Sequence, residues 1–240
     1  MRPGERANST AARHRGALSA SNGPMWLAEL WRYPVKSMGG EQLSEAVVEA
    51  NGIPGDRVVH VEDPRGRVVT SRSRPRLLLH HGTLGADGEP LVDGRRWETA
   101  AVARDVEAAA GPGCRLVPDD GLERFDVLPL LVATDGAIDA LGYDRRRFRP
   151  NLLLGGVEGF AERSWEGKLL HVGEAIIRIV DLRQRCIMTT FDPDTAAQDT
   201  EVLLRIHREL DGLLALNCEV LRPGRIRVGD TATITDRGTR

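Results

Sequence analysis

Asp181-Leu182-Arg183-Gln184-Arg185-Cys186-Ile187-Met188-Thr189-Thr190-Phe191-Asp192-Pro193-Asp194-Thr195 is the stretch around which the chain is organised. Ahead of it, Ala175 to Val180 is mostly apolar and β-branched, the composition of a strand running into the cysteine. The Asp-Pro-Asp-Thr that follows stops that strand. Pro193 fixes its own φ and each aspartate can accept hydrogen bonds from nearby backbone amides, so a rigid turn is expected after the thiol.

The thiol has two readings. Arg183 and Arg185 favour a thiolate, which is a nucleophile or a soft metal ligand. A free cysteine is also among the most buried residue types, and spacing alone favours this packing role. Both readings stay open on the residues alone.

The rest of the chain reads as an ordinary globular protein. Its 240 residues are 41% hydrophobic and 28% charged, enough to bury a core in one or two domains. A net charge of −2 and a pI near 6.3 give no broad reason to expect nucleic acid or an acidic membrane surface. No apolar run approaches the roughly 20 residues of a membrane span. Three widely spaced cysteines, Cys114, Cys186 and Cys218, argue against a disulfide framework and for a reducing compartment, with the cytoplasm as the expected location.

Residues 1–24 carry Leu18 as the only large aliphatic side chain after Met1, so a disordered tail or a translation start at Met25 is expected there. From Trp26 onward, short strands alternate with turns: Trp26 to Tyr33, Leu43 to Glu49, Arg57 to Glu62, Val68 to Ser71, and Leu77 to Thr83. Arg104 to Ala110 reads as a helical turn and Cys114 to Val117 as a further strand. A boundary is expected near Pro118-Asp119-Asp120-Gly121, dividing a module over 25–118 from one over 119–240. In the second module Thr134 can cap a helix over Asp135 to Leu141. Asp199 or Thr200 can cap a longer one whose Val202, Leu203, Ile206 and Leu210 share a face, ending at Asp211-Gly212. The fold class is therefore mainly β (α+β): a β-barrel-like module packed on a mixed β-barrel with about two helices.

Several features are read as bland. Arg145-Arg146-Arg147 reads as a solvated loop, His80-His81 lacks a third ligand at metal spacing, and Cys218 lies in an apolar strand. Lys36 is different. Of 33 Lys and Arg residues only Lys36 and Lys168 are lysine, so Lys36 stands out against a strong arginine preference, either as a point charge reaching a phosphate or by chance retention on a surface strand.

Three blocks in order resemble the MOSC family, named for the molybdenum cofactor sulfurase C-terminal domain. The Arg-Cys pair followed by Thr-Thr and Asp-Pro-Asp-Thr is similar to the family signature. Phe148-Arg149-Pro150-Asn151, with Glu162 and Ser164-Trp165 after it, resembles a second block. Trp31-Arg32-Tyr33-Pro34-Val35-Lys36-Ser37 resembles the opening of the N-terminal β-barrel that accompanies MOSC in the amidoxime-reducing proteins.

The resemblance implies a molybdenum cofactor (Mo-molybdopterin) bound between the two modules, with Cys186 as metal ligand and catalytic residue. Lys36, Ser37, Arg57, Thr134, Arg149, Asn151, Gln184 and Arg185 are implied to bind the cofactor. It further implies a molybdenum-dependent oxidoreductase that reduces small N-hydroxylated compounds by oxygen-atom transfer. A sulfur carrier using a Cys186 persulfide and a non-catalytic cofactor-binding protein are the alternatives. Three scattered cysteines cannot supply the four thiolates of an iron–sulfur cluster, so a separate flavin, iron–sulfur or cytochrome-type donor is expected. The pyridoxal-phosphate-dependent domain of larger relatives is not seen, which leaves pyridoxal phosphate as a family association only. The family pattern departs at Ala196-Ala197, where a glycine is expected after Thr195.

Overall fold

The computed structural model describes residues 24–119, 121 and 124–236; the expected tail over 1–24 lies outside the described residues except for Pro24. In chain order the first strands are β1 (Met25–Arg32), β2 (Glu41–Leu43), β3 (Glu45–Val48), β4 (Val59–Glu62) and β5 (Val68–Val69). They are followed by β6 (Gly82–Leu84), β7 (Pro90–Val92), β8 (Arg95–Arg96), helix α1 (Ala100–Ala110) and β9 (Arg115–Pro118). The remainder comprises β10 (Leu130–Thr134), α2 (Asp135–Leu141), β11 (Leu152–Gly155), β12 (Leu169–Val172) and β13 (Ala175–Gln184). Helix α3 (Glu201–Leu210), β14 (Leu213–Arg222), β15 (Gly224–Arg227) and β16 (Thr231–Thr235) complete it.

Seven strands close into a barrel in the order β11-β10-β14-β13-β12-β16-β1, with β1 pairing back onto β11. A closed ring leaves no open edge among these strands. The β10–β11 pair is parallel, so the chain must cross over between them, and α2 lies on that crossover. Thr134 ends β10 and caps α2 as expected, its hydroxyl accepting from the Ala137 amide at 3.3 Å. At the barrel seam Trp26 faces Gly155, where an added Cβ would fall 2.5 Å from the indole ring.

The strand that closes the ring comes from the N-terminal part. Leu27, Leu30, Val48 and Ile53 share one core with Leu130, Leu152, Leu170, Ile177 and Leu216, so residues on both sides of position 118 build the barrel interior. The rest of the first part surrounds a second core of Val35, Val59, Val61, Leu77, Val102 and Val106, formed by sheets β5-β4-β9 and β6-β7-β8 with α1. Helices α2 and α3 pack outside the barrel around Phe148, Leu141, Ile206 and Leu214.

Two expectations are corrected. Leu77 to Thr83 is not one strand: Pro75 starts a 3₁₀ turn over Pro75–Leu79, whose buried Leu77 points into the second core, and β6 begins at Gly82. The helical turn at Arg104 is a full helix from Ala100, capped by Thr99 and buried through Val102 and Val106. Among the described residues no helix is long and apolar enough to cross a membrane.

Candidate functional site

Strand β13 carries the chain to Gln184, where the Arg185 amide donates to the Gly212 carbonyl at 2.8 Å and fixes the strand's end. Cys186 then starts a 3₁₀ turn over Ile187–Thr190, and the Thr189 amide and hydroxyl both donate to its carbonyl. The next turn is as rigid as its composition implies. One Asp192 carboxylate oxygen accepts from the Asp194 amide, the Thr195 amide and the Thr195 hydroxyl at 3.0–3.1 Å. The thiol is therefore half-buried on a stiff frame, whereas Cys218 is fully buried in β14 with its pKa driven up by burial.

Around Cys186 lies an open cleft. It brings together Lys36, Ser37, Arg57, Arg149, Gln184 and Arg185, six of the eight residues expected to bind a cofactor. Four of the six are held by specific contacts. Lys36 follows β1, its amide donating to the Val59 carbonyl and its ammonium to the Arg124 carbonyl at 3.0 Å. Arg57 pairs with buried Asp56, whose other oxygen accepts from the Tyr33 amide at 2.7 Å. The Arg149 guanidinium donates to the Met38 carbonyl, and Arg185 donates to the Phe148 carbonyl at 2.9 Å.

Ser37, Arg57 and Arg149 all have φ between 53° and 73°, a left-handed backbone that costs a non-glycine residue free energy. Such conformations concentrate where a binding site over-determines the chain.

Two expected residues do not line this cleft. Thr134 is fully buried, and its hydroxyl is used in capping α2 and in donating to Glu162 at 3.2 Å. Asn151 is also buried. It accepts from the Leu131 amide and donates to the Trp31 carbonyl and to Asp56, so it braces the arginine-holding carboxylate from behind.

The structure adds residues that the sequence reading did not assign to the site. Arg72, Asp126 and Arg147 line the cleft, with Thr70 beside Arg72, and Arg183, already singled out beside the thiol, joins them. Arg147 corrects the picture of a solvated arginine run: it donates to the Thr190 carbonyl and to Asp192, and its neighbour Arg146 pairs with Asp144 and Asp194. The Thr-Ser-Arg-Ser-Arg run from 70 was the available signal for Arg72; a lone Asp126 in a loop had none. His80 pairs with Asp93 at 2.7 Å, and no group of three potential metal ligands of the His, Cys, Asp or Glu type occurs among the described residues.

The electrostatics follow from the count. Seven cationic side chains and a single carboxylate line the cavity. Burial lowers Arg149 and Arg185 to about 10, which reports how poorly these cations are solvated. The Arg185 Nε is buried without a hydrogen-bond partner. For Arg72, burial is outweighed by Asp126 and by the Cys186 sulfur beside it, which raise its pKa. A site of this kind suits an anion that brings acceptors to several fixed donors, next to a half-buried thiol.

Residues 25–114 match the MOSC N-terminal beta barrel domain and residues 134–233 match the MOSC domain. The chain belongs to the MOSC-domain proteins. Among curated MOSC relatives it is similar to the mitochondrial amidoxime-reducing component 1 of Homo sapiens, 26% identical with 85% of this chain and 81% of that protein covered. The Mus musculus counterpart is 28% identical over 85% of this chain and 80% of that protein. Among solved structures, the YUAD protein from Bacillus subtilis aligns with a TM-score of 0.47 at 14% identity, covering 92% of this chain and all of that one.

Proposed function

We propose that this MOSC protein binds a molybdenum–pterin cofactor in the Cys186 cleft and reduces N-hydroxylated compounds. The observation that carries the reading is the convergence of a half-buried thiol and seven cations on one cavity, with the Arg185 Nε buried and unpartnered. That donor set fits the group: Lys36, Ser37, Arg57, Arg149, Gln184 and Arg185 would hold its anionic part, and Cys186 would supply a soft thiolate to the metal. When bound, the group would supply the two-electron redox chemistry.

The protein's own contribution is electrostatic and geometric. Arg72 and Arg183 place cations in the same cleft as the thiol, and the Asp192 turn keeps its backbone fixed. Electrons come from a separate protein, because the three cysteines lie apart and free. Free cysteines also agree with a cytoplasmic location. The half-exposed thiol among cations favours one second reading, a persulfide carrier passing sulfur to an acceptor.

Metal and sulfur analysis of freshly purified protein separates the two. Stoichiometric molybdenum with reduction of benzamidoxime by a chemical reductant supports the reductase; labile sulfane sulfur without metal supports the carrier. Turnover with reduced nicotinamide and no second protein would overturn the separate-donor assignment.

A further inference from the structure

Three cations of the cleft converge on one carboxylate. Arg72 lies 2.8 Å, Lys36 3.3 Å and Arg183 3.4 Å from the oxygens of Asp126. The other acids that pair with cleft arginines sit outside the cavity: Asp56 is fully buried behind Arg57, and Asp192 anchors its turn behind Arg147. These acids hold their arginines from outside the cavity. Asp126 instead lines the cavity itself and its side chain is 33% exposed.

Its setting leaves room for movement. Asp126 rides on Phe125–Pro129, which is neither helix nor strand and is tethered by the Phe125 ring, over which the Arg124 guanidinium lies at 4.6 Å. Asp126 also lines a small neighbouring pocket with Arg57, Arg183, Asn151 and Asn217, so a turned carboxylate would keep Arg183 and face Arg57, both of which line the cleft as well.

We propose that Asp126 is a built-in counter-ion standing in for the anionic ligand of this cleft: its carboxylate occupies the Lys36–Arg72–Arg183 site until an incoming phosphate-type oxyanion displaces it toward the neighbouring cavity. The proposal rests on the cleft being an anion site, as the function proposed above requires, and needs no metal. Without Asp126 the half-buried Lys36 and Arg183 and the exposed Arg72 would face one another unneutralised, and with a polyanion present the carboxylate becomes a like charge in the same place. Ligand affinity is therefore the net of an exchange, reduced by the fraction of protein in which Asp126 holds the site. The exchange also selects: a singly charged anion offers the cations no more than Asp126 does, whereas a multiply charged oxyanion does.

The test uses cofactor-free protein and inorganic pyrophosphate, followed by calorimetric titration. Asp126→Asn keeps the size and removes the charge, and it is expected to bind pyrophosphate at least about fivefold tighter than wild type. Equal or weaker binding by this variant, or no binding by either protein, would overturn the proposal. Should the variant not fold, a wild-type crystal structure with pyrophosphate decides: the Asp126–Arg72 contact broken supports displacement, and the contact retained beside bound pyrophosphate refutes it. A protein that passes but never takes up molybdenum would remove the proposed cofactor and leave the counter-ion in place. A molybdenum-loaded protein that fails would do the reverse.

Discussion

The guanidinium carbon of Arg149 lies 4.1 Å from the centroid of the Tyr33 ring, while the same guanidinium donates a hydrogen bond to the Met38 carbonyl. This contact joins the end of β1 to the Arg-Pro-Asn segment before β11 and places a buried cation on the floor of the cleft. Tyr33 is pushed up to about 12 by burial, so the ring stays neutral under the cation.

Arg149→Met is expected to cost roughly 1–3 kcal/mol of stability, because the Met38 carbonyl loses its buried donor. Its pyrophosphate affinity should fall about tenfold or more, a loss of about 1.4 kcal/mol. Denaturant unfolding and calorimetry measure the two effects separately. Lost stability with unchanged affinity would assign Arg149 to the fold alone.

Lys36→Ala should likewise weaken anion binding and cofactor retention while the protein remains folded, because Lys36 makes its contacts at the cleft and not in either core. Lys36→Arg should restore binding only in part, a planar fork being a poor substitute for a point charge at this position. Pterin content of purified protein, read by fluorescence after oxidation, reports the outcome.

Cys186→Ser and Cys218→Ser should behave oppositely. Cys218 is fully buried, so a hydroxyl there costs on the order of 1–3 kcal/mol of stability without altering the cleft. Cys186 is half-buried, so the same change should barely move the melting temperature of cofactor-free protein. It should abolish benzamidoxime reduction and molybdenum retention. Full specific activity in Cys186→Ser would exclude the ligand role.

Ala196, just after Asp-Pro-Asp-Thr, has φ 57°, the left-handed region that favours glycine. Ala196→Gly should raise stability by up to about 1 kcal/mol by relieving that strain. Chemical denaturation is the check, and a loss of stability would show that the turn carries no such strain.

Acid should unfold the protein through its paired carboxylates. In Asp126 the effect of burial is outweighed by Arg72, Lys36 and Arg183, and Asp63 is held down to about 2 by its hydrogen bonds from Arg67. Folded values below the unfolded one, about 3.9, mean that their contribution is present above that pH and is lost as pH falls through the folded values. Melting temperature should therefore drop steeply below about pH 4, and less steeply in Asp126→Asn.

The local devices were legible in the residues. Thr134 before an apolar helical run caps α2 as its hydroxyl requires, and Asp192 organises the turn after Cys186 because an aspartate two and three residues ahead of free amides accepts both. The lysine among arginines and the Arg-Cys pair both reached the cleft. These are short-range effects, set by side chains within a few residues of the backbone they act on.

What the sequence determined by itself was thus the β-rich class, the caps and turns, and the residues carrying the MOSC signature. Which of those residues share a cavity was decided by the closure of the barrel, because β1 pairs with β11 and β16 across more than a hundred residues of chain. That pairing brings Tyr33 against Arg149 and Lys36 into the same cleft, turns Thr134 and Asn151 inward as supports, and sets Asp126 among three cations. The physical reason is range: capping and turn formation depend on neighbours in sequence, whereas cation clustering and burial depend on which distant segments the barrel's hydrogen bonds and shared core force together.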